Sequence, residues 1–305
     1  MSAPAVNIQG VRKSFGGSFT LGPLTLEVPR GTICALVGPN GAGKTTLLNL
    51  LMGLTRADDG RVTLLGRGVR NEDTEIKRRT AFVSPDLSYR AWGSVGRAID
   101  FVSGFYADWN TERCERLQLL FDIHRGERID ALSFGARMKL ALVLALSRDD
   151  AELLLLDEPT AGLDPVARQM LFTELLHFMQ HEERTIVIAS HQLADLERFA
   201  DRVAIMDSGR LVTCGSIPEL LERYVQIDVQ LPPVPVLPRT GLQLLARDGD
   251  RARLLVDRSI ISPDELTRLG VETIGKTALT LEELFVALIM GRGRLQRWLP
   301  RTAAA

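Results

Sequence analysis

Cysteine is scarce. Only Cys34, Cys114 and Cys214 occur in 305 residues, with no Cys-x-x-Cys spacing. That excludes a disulfide framework and a cysteine zinc site, and it suits a reducing compartment. An excess of either charge is also lacking. Lys and Arg number 37 against 38 Asp and Glu, a net charge of −1, so no global field gathers nucleic acid. The longest wholly apolar runs, "LALVLAL" and "LFVALIM", fall far short of the roughly 20 residues that span a bilayer. The opening "MSAPAVNIQGVRKSF" contains no apolar signal core. The expectation is a soluble chain, held at any membrane by another protein.

What is present is a series of short apolar runs separated by glycine, proline and acidic turns. "VNIQGV" and "SFTLGPLTLEV" read as strands. "ICALV" (33–37) leads through a glycine-rich loop into the helix "KTTLLNLLMGL". "LLLLD" (153–157) and "TIVIAS" (185–190) are further buried strands, and "RVAIMDSGRLV" is a hairpin turning at Asp207-Ser208-Gly209. Buried runs alternating with amphipathic helices predict an α/β fold with a parallel sheet, preceded by an antiparallel β portion. Residues 90–148 carry no convincing strand and read as a helical insertion, with Asn110 capping one helix.

The composition changes after Ser216. A strand "YVQIDVQL", a Pro-rich connector at 232–238, a hairpin around Asp248-Gly249 and two capped helices starting at Ser262 and Thr280 follow. The division expected is 1–216 and a small C-terminal α/β domain at 217–305. The latter ends in a basic tail with Arg292, Arg294, Arg297 and Arg301 beside Trp298 and Leu299. Such a tail suits either an anionic lipid surface or a frayed terminus.

"GPNGAGKT" (38–45) fits G-x-x-x-x-G-K-[ST]. Gly38, Gly41 and Gly43 let backbone N–H groups wrap phosphates at a helix N-terminus. Lys44 reaches the β- and γ-phosphates, and the Thr45 hydroxyl ligates Mg²⁺. Asn40 and Thr46 complete the ATP-binding stretch. Asp157, ending a buried strand, can hold Mg²⁺ directly or through water. Glu158 follows it, where a carboxylate can orient a water for in-line attack. His191 follows the next strand and suits a γ-phosphate sensor. "LSFGA" puts Ser133 and Gly135 at a helix N-terminus, where the serine is either a helix cap alone or part of a ready anion site. The insertion would hold that turn away from the loop at 38–45, so the ATP it faces is that of a second copy.

"GPNGAGKTT", "LSFGARMK", "LLLLDEPTAGLDP" and "SHQLADLERFADRVAIMDSGRL" together resemble, in order and spacing, the ATP-binding subunits of ABC transporters, over about residues 4–215. The resemblance implies a P-loop NTPase core and a head-to-tail dimer, homo- or heteromeric, with two ATP molecules between the subunits. It implies Mg-dependent ATP hydrolysis with Glu158 as the catalytic carboxylate, His191 as the switch histidine, and Ser133 and Gly135 acting across the interface. It further implies Asp164 in the dimer-contacting loop, Phe15 stacking on adenine, and a transmembrane permease as partner at the cytoplasmic face of the membrane. Three positions depart from the family pattern. Phe134 and Ala136 stand where the signature has Gly and Gln, and Pro85 stands at the lid glutamine, so that either Asp86 is a substitute Mg²⁺ ligand or that contact is missing. "FYADW", the signature helix and "LEELFVALI" are similar to exporter-type subunits that pair with separate permeases. Tyr89, Trp92, Phe101, Phe105, Tyr106 and Trp109 crowd the segment that docks on the permease in that family. The alternative is a soluble ABC-type ATPase acting on the ribosome or nucleic acid. Such proteins usually carry two cassettes or coiled coils; this chain has one cassette and no heptads, and no nucleic-acid partner is expected.

Overall fold

The structure, a computed structural model, describes residues 3–17, 19–69, 73–181, 183–230, 240–269 and 271–298. The chain divides into two compact units, residues 1–192 with 199–213, and 193–198 with 214–305. The expected boundary lay at 216, and residues 193–198 group with the second unit rather than the first.

The first unit opens with β1 (Val6–Phe15) and β2 (Phe19–Val28), paired antiparallel from Val6↔Val28 to Phe15↔Phe19. With β4 (Asp59–Leu64) and β5 (Arg67–Gly68) they form a sheet in the order β2-β1-β4-β5. A second sheet has the order β10-β9-β3-β8-β7-β6. It is built from β3 (Ile33–Val37), β6 (Thr80–Val83), β7 (Leu153–Asp157), β8 (Thr185–Ser190), β9 (Arg202–Asp207) and β10 (Arg210–Ser216). The pairs β3–β8, β3–β9, β6–β7 and β7–β8 run parallel. Every residue of β3, β7 and β8 is buried. That is why these strands are near-continuous runs of Leu, Ile and Val instead of alternating.

Helices α1 (Lys44–Leu51), α2 (Thr74–Arg79) and α6 (Pro165–Phe178) connect the strands. The expected insertion is helical: α3 (Val95–Ser103), α4 (Thr111–Phe121) and α5 (Phe134–Leu146), preceded by a short 3-10 turn at Arg90–Trp92. Their starts follow from side-chain acceptors. Ser94, Asn110 and Ser133 each accept a hydrogen bond from a backbone N–H three residues on. Helix α5 is apolar nearly all round, and residues 140–146 are all buried.

The second unit holds α7 (Leu193–Leu196), α8 (Ile217–Arg223), β11 (Tyr224–Gln230), β12 (Leu242–Asp248), β13 (Arg251–Asp257), α9 (Pro263–Arg268), β14 (Glu272–Thr277) and α10 (Leu281–Trp298). Its strands form a sheet in the order β12-β13-β11-β14, antiparallel throughout. Val225, Ile227, Val229, Leu254 and Val256 are at its core. Thr280 and Glu283 exchange reciprocal hydrogen bonds at the start of α10. The Pro-rich connector at 232–238 and the side chains of the basic tail lie outside the described residues. Among the described residues, no helix is long and apolar enough to cross a membrane.

Leu155, on the fully buried β7, is 0 % exposed. Leu155→Ala should cost about 2–5 kcal/mol of stability, seen as a lower urea midpoint when Trp92 and Trp109 emission reports unfolding of the first unit. An unchanged midpoint would contradict the burial of this strand.

Candidate nucleotide site

Parallel register sets the site. Val37 of β3 lies opposite Ser190 of β8, Ala189 opposite Asp157 of β7, and Leu156 opposite Val83 of β6. The segments leaving these strands therefore gather along one edge of the sheet, where open α/β sheets bind ligands. A cavity of about 440 Å³ opens there, lined by Phe19, residues 40–46 and Glu158.

Gly43 carries φ 101°, a left-handed conformation that glycine adopts without strain. A Cβ there would come within 2.8 Å of Leu21 and 3.0 Å of the Phe19 ring. The loop thus closes tightly over β2. Lys44 begins α1 and is 7 % exposed. Its Nζ donates to the Gly38 carbonyl at 2.7 Å and lies 3.9 Å from Glu158 Oε1. Burial pulls its pKa down, opposed by the nearby carboxylates of Glu158 and Asp157.

Asp157 is 2 % exposed. Burial pushes its pKa up, opposed by a hydrogen bond from the Thr45 hydroxyl, while Glu158 and then Asp86 raise it further. Its Oδ1 has no hydrogen-bond partner. A buried carboxylate oxygen without a partner, next to a hydroxyl on the following helix, is the hard oxygen donor set that suits Mg²⁺. Among the described residues no group of three or more His, Cys, Asp or Glu could hold a metal.

Glu158 sits at φ 46°, an uncommon conformation for a residue with a side chain. Its N–H donates to the Ala189 carbonyl at 2.9 Å. His191 Nδ1 lies 2.9 Å from Glu158 Oε2. The structure therefore brings Lys44, Thr45, Asp157, Glu158 and His191 together, with Asp86 in electrostatic reach.

Four predicted residues are elsewhere. Ser133 and Gly135 do not line the cavity. The Ser133 hydroxyl caps α5, accepting from Ala136 N–H at 3.1 Å. Gly135 packs against the loop after β7, where a Cβ on it would stand 2.2 Å from the Gly162 carbonyl oxygen. Asp164 caps α6 through Val166 and Ala167 N–H, both at 2.9 Å, and lies 3.9 Å from Lys139 of α5. Phe15 is 42 % exposed and does not line the cavity. Phe19 does, with its ring centroid 6.3 Å from that of Phe15. Sequence reasoning missed Phe19. The signal available was a second aromatic four residues on, across the tight β1–β2 turn.

A glycine-rich loop closing on a helix start, a buried strand-end carboxylate and a neighbouring Glu–His pair define a P-loop nucleoside triphosphatase. A model described as "ABC transporter" matches residues 21–161. The chain is 34 % identical over 235 residues to the Nod factor export ATP-binding protein I of Rhizobium sp. (strain N33), covering 75 % of this chain and 76 % of that one. It is 30 % identical to the protein of the same name from Burkholderia orbicola (strain AU 1054), covering 94 % and 98 %. A solved ATP-binding subunit of an ABC transporter shares the fold, with TM-score 0.64 and 23 % identity over 72 % of this chain and 92 % of that one. This chain belongs to the ABC transporter family as an ATP-binding subunit, and it is an ATPase.

Two outcomes test this geometry. Raising a buried carboxylate's pKa withholds stability above its ordinary value and restores it as pH falls through the folded value. Asp157→Asn should therefore raise the melting temperature of the nucleotide-free chain at pH 7, with the gain shrinking toward pH 4, while Mg-dependent ATP hydrolysis is lost. Equal melting at both pH values would refute the desolvation reading. Phe19→Ala should weaken ATP binding about tenfold, the scale of stacking a base on an aromatic. Phe15→Ala should weaken it less, as measured by equilibrium dialysis. The reverse order would return the base to Phe15.

Proposed function

We propose that this chain drives a separate transmembrane permease from the cytoplasmic face, as a peripheral subunit of an exporter, and fires as a dimer with ATP held between facing subunits. The observation that carries the dimer is the separation of two phosphate-ready elements. The loop at 40–46 lines the cavity, whereas the anion-ready turn at Ser133 and Gly135 lies outside it. A turn of that chemistry finds its ligand on a second subunit, and Asp164 belongs to the loop that Gly135 packs on. The export reading is supported by the names of the two relatives.

Within one site, residues 40–46 hold the phosphates through backbone N–H groups, and Lys44 places its charge on the β- and γ-oxygens. Thr45 and Asp157 would hold Mg²⁺, with Asp86 nearby as a further oxygen donor. When bound, the ion draws charge from the phosphate oxygens. Glu158 is the group that orients the attacking water, and His191, 2.9 Å away, fixes the direction of its carboxylate. The permease reading is supported by a row of aromatics. Tyr89 and Trp92 have ring centroids 5.6 Å apart, Trp92 and Phe101 5.2 Å, and Phe101 and Phe105 5.0 Å. Phe101 is 48 % exposed and Phe105 67 %, the outward aromatic surface that protein interfaces favour.

One experiment tests the dimer. A Glu158→Gln chain should bind MgATP, turn it over very slowly and become dimeric by light scattering. Adding Ser133→Arg should block the dimer and leave ATP binding by the monomer intact, because the arginine fills the space of the facing γ-phosphate. If Ser133→Arg abolished ATP binding by isolated monomers, the turn would serve its own chain's site and the facing arrangement would be wrong.

A further inference from the structure

Arg148 follows α5 in the charged stretch "SRDD" and belongs to no motif. It is nevertheless only 4 % exposed, and burial pulls its pKa below its ordinary value. A buried cation costs several kcal/mol unless its donors are matched. Asp150 is a poor match, because its Oδ1 lies 3.5 Å from Nε and neither oxygen accepts a hydrogen bond. The terminal nitrogens go instead to backbone. One donates to the Thr80 carbonyl at 3.1 Å; the other donates to the Lys77 carbonyl at 3.3 Å and to the Arg78 carbonyl. These acceptors sit at the C-terminal end of α2 and the first residue of β6. The guanidinium also lies over the Tyr106 ring, 3.7 Å from its centroid.

Each partner leads to a different place. Strand β6 is paired with β7 along its length, so it is stiff. About 13 Å further on it delivers the loop at 84–88, which leaves β6 at Val83, the register partner of Leu156 next to Asp157. Tyr106 follows Phe105, the outermost ring of the aromatic row. The row's other end, Tyr89, leaves that same loop. Its hydroxyl pKa is pushed up to about 12 by burial, with Tyr106 adding to the shift. The backbone reinforces the junction: Asn110 N–H donates to the Ser147 carbonyl at 2.8 Å and Asp149 N–H to the Asp108 carbonyl at 3.0 Å. The contacts form a closed ring from the loop at 84–88 through the aromatics to Arg148 and back along β6.

We propose that Arg148 is a positioning residue that makes the loop at 84–88 and the exposed aromatic row move as one body, so that nucleotide arriving beside Asp157 is felt at Trp92 and Phe105. Its fork reaches three carbonyls while its flat face stacks on Tyr106, which the ammonium of a lysine cannot reproduce. The inference rests on ATP occupying the loop at 38–45, and the experiment measures that occupancy separately.

Trp109→Phe and Trp298→Phe leave Trp92 as the sole tryptophan reporter. In that parent, MgATP should shift Trp92 emission. Arg148→Met and Arg148→Lys should keep the ATP Kd within about twofold by equilibrium dialysis, yet cut the emission change about threefold or more. Should Arg148→Met fail to fold, Tyr106→Leu removes the stack, leaves the carbonyl contacts in place and should cut the change likewise. A folded, ATP-binding Arg148→Met or Tyr106→Leu chain with the full change overturns the proposal, as does a parent that binds ATP without any change. Loss of ATP binding in step with loss of emission reduces Arg148 to a structural staple. A parent that binds no ATP at all overturns the nucleotide reading instead.

Discussion

A carboxylate taken out of water at the end of a parallel strand is unfavourable, and Asp157 is held there at 2 % exposure. The surroundings relieve the charge in part. Thr45 supplies a hydrogen bond and Lys44 an opposite charge, while Glu158 and Asp86 work against them. The same burial lowers the pKa of Lys44 and raises that of Asp157. Both ions are thus strained towards neutrality, and a polyphosphate carrying a divalent cation would relieve both at once. Only a stiff sheet can hold such a pair, which is why every residue of β3, β7 and β8 is buried.

That burial is also what made the fold legible. The runs "ICALV", "LLLLD" and "TIVIAS" coincide with β3, β7 and β8, because a strand covered on both faces has no polar residue to interrupt it. Helix starts were legible wherever a short acceptor side chain stood at the right place, as at Asn110, Ser262 and Thr280. Strand β14 escaped notice because its pattern is exposed nearly throughout, so no alternation announces it.

The site was legible to the extent that it is local. The loop at 38–45 announces itself because the spacing is the mechanism, and Asp157 because it ends a strand. Phe19 and Arg148 were not legible. The first matters because β2 passes beneath Gly43, the second because α2 ends beside the exit of α5. Neither proximity has a sequence spacing. Ser133 was read as a helix cap or part of a nucleotide site. The cap is visible, and it leaves the helix N-terminus turned to whatever lies outside the cavity.

Gly135 and Gly162 are separated by α5 and β7, yet a single added methyl on Gly135 would stand 2.2 Å from the other's carbonyl oxygen, and one on Gly162 would stand 2.7 Å from the Phe134 ring. No rotamer relieves the clash at Gly135, which is with backbone, and at Gly162 a φ of 74° strains any side chain besides. Inheritance therefore sees these two stretches as one locus. A side chain at Gly135 is viable only if the turn at 162 withdraws, and one at Gly162 only if the Phe134 ring gives way. Each stretch thus sets which changes the other can accept, by geometry alone and before any demand from chemistry is counted.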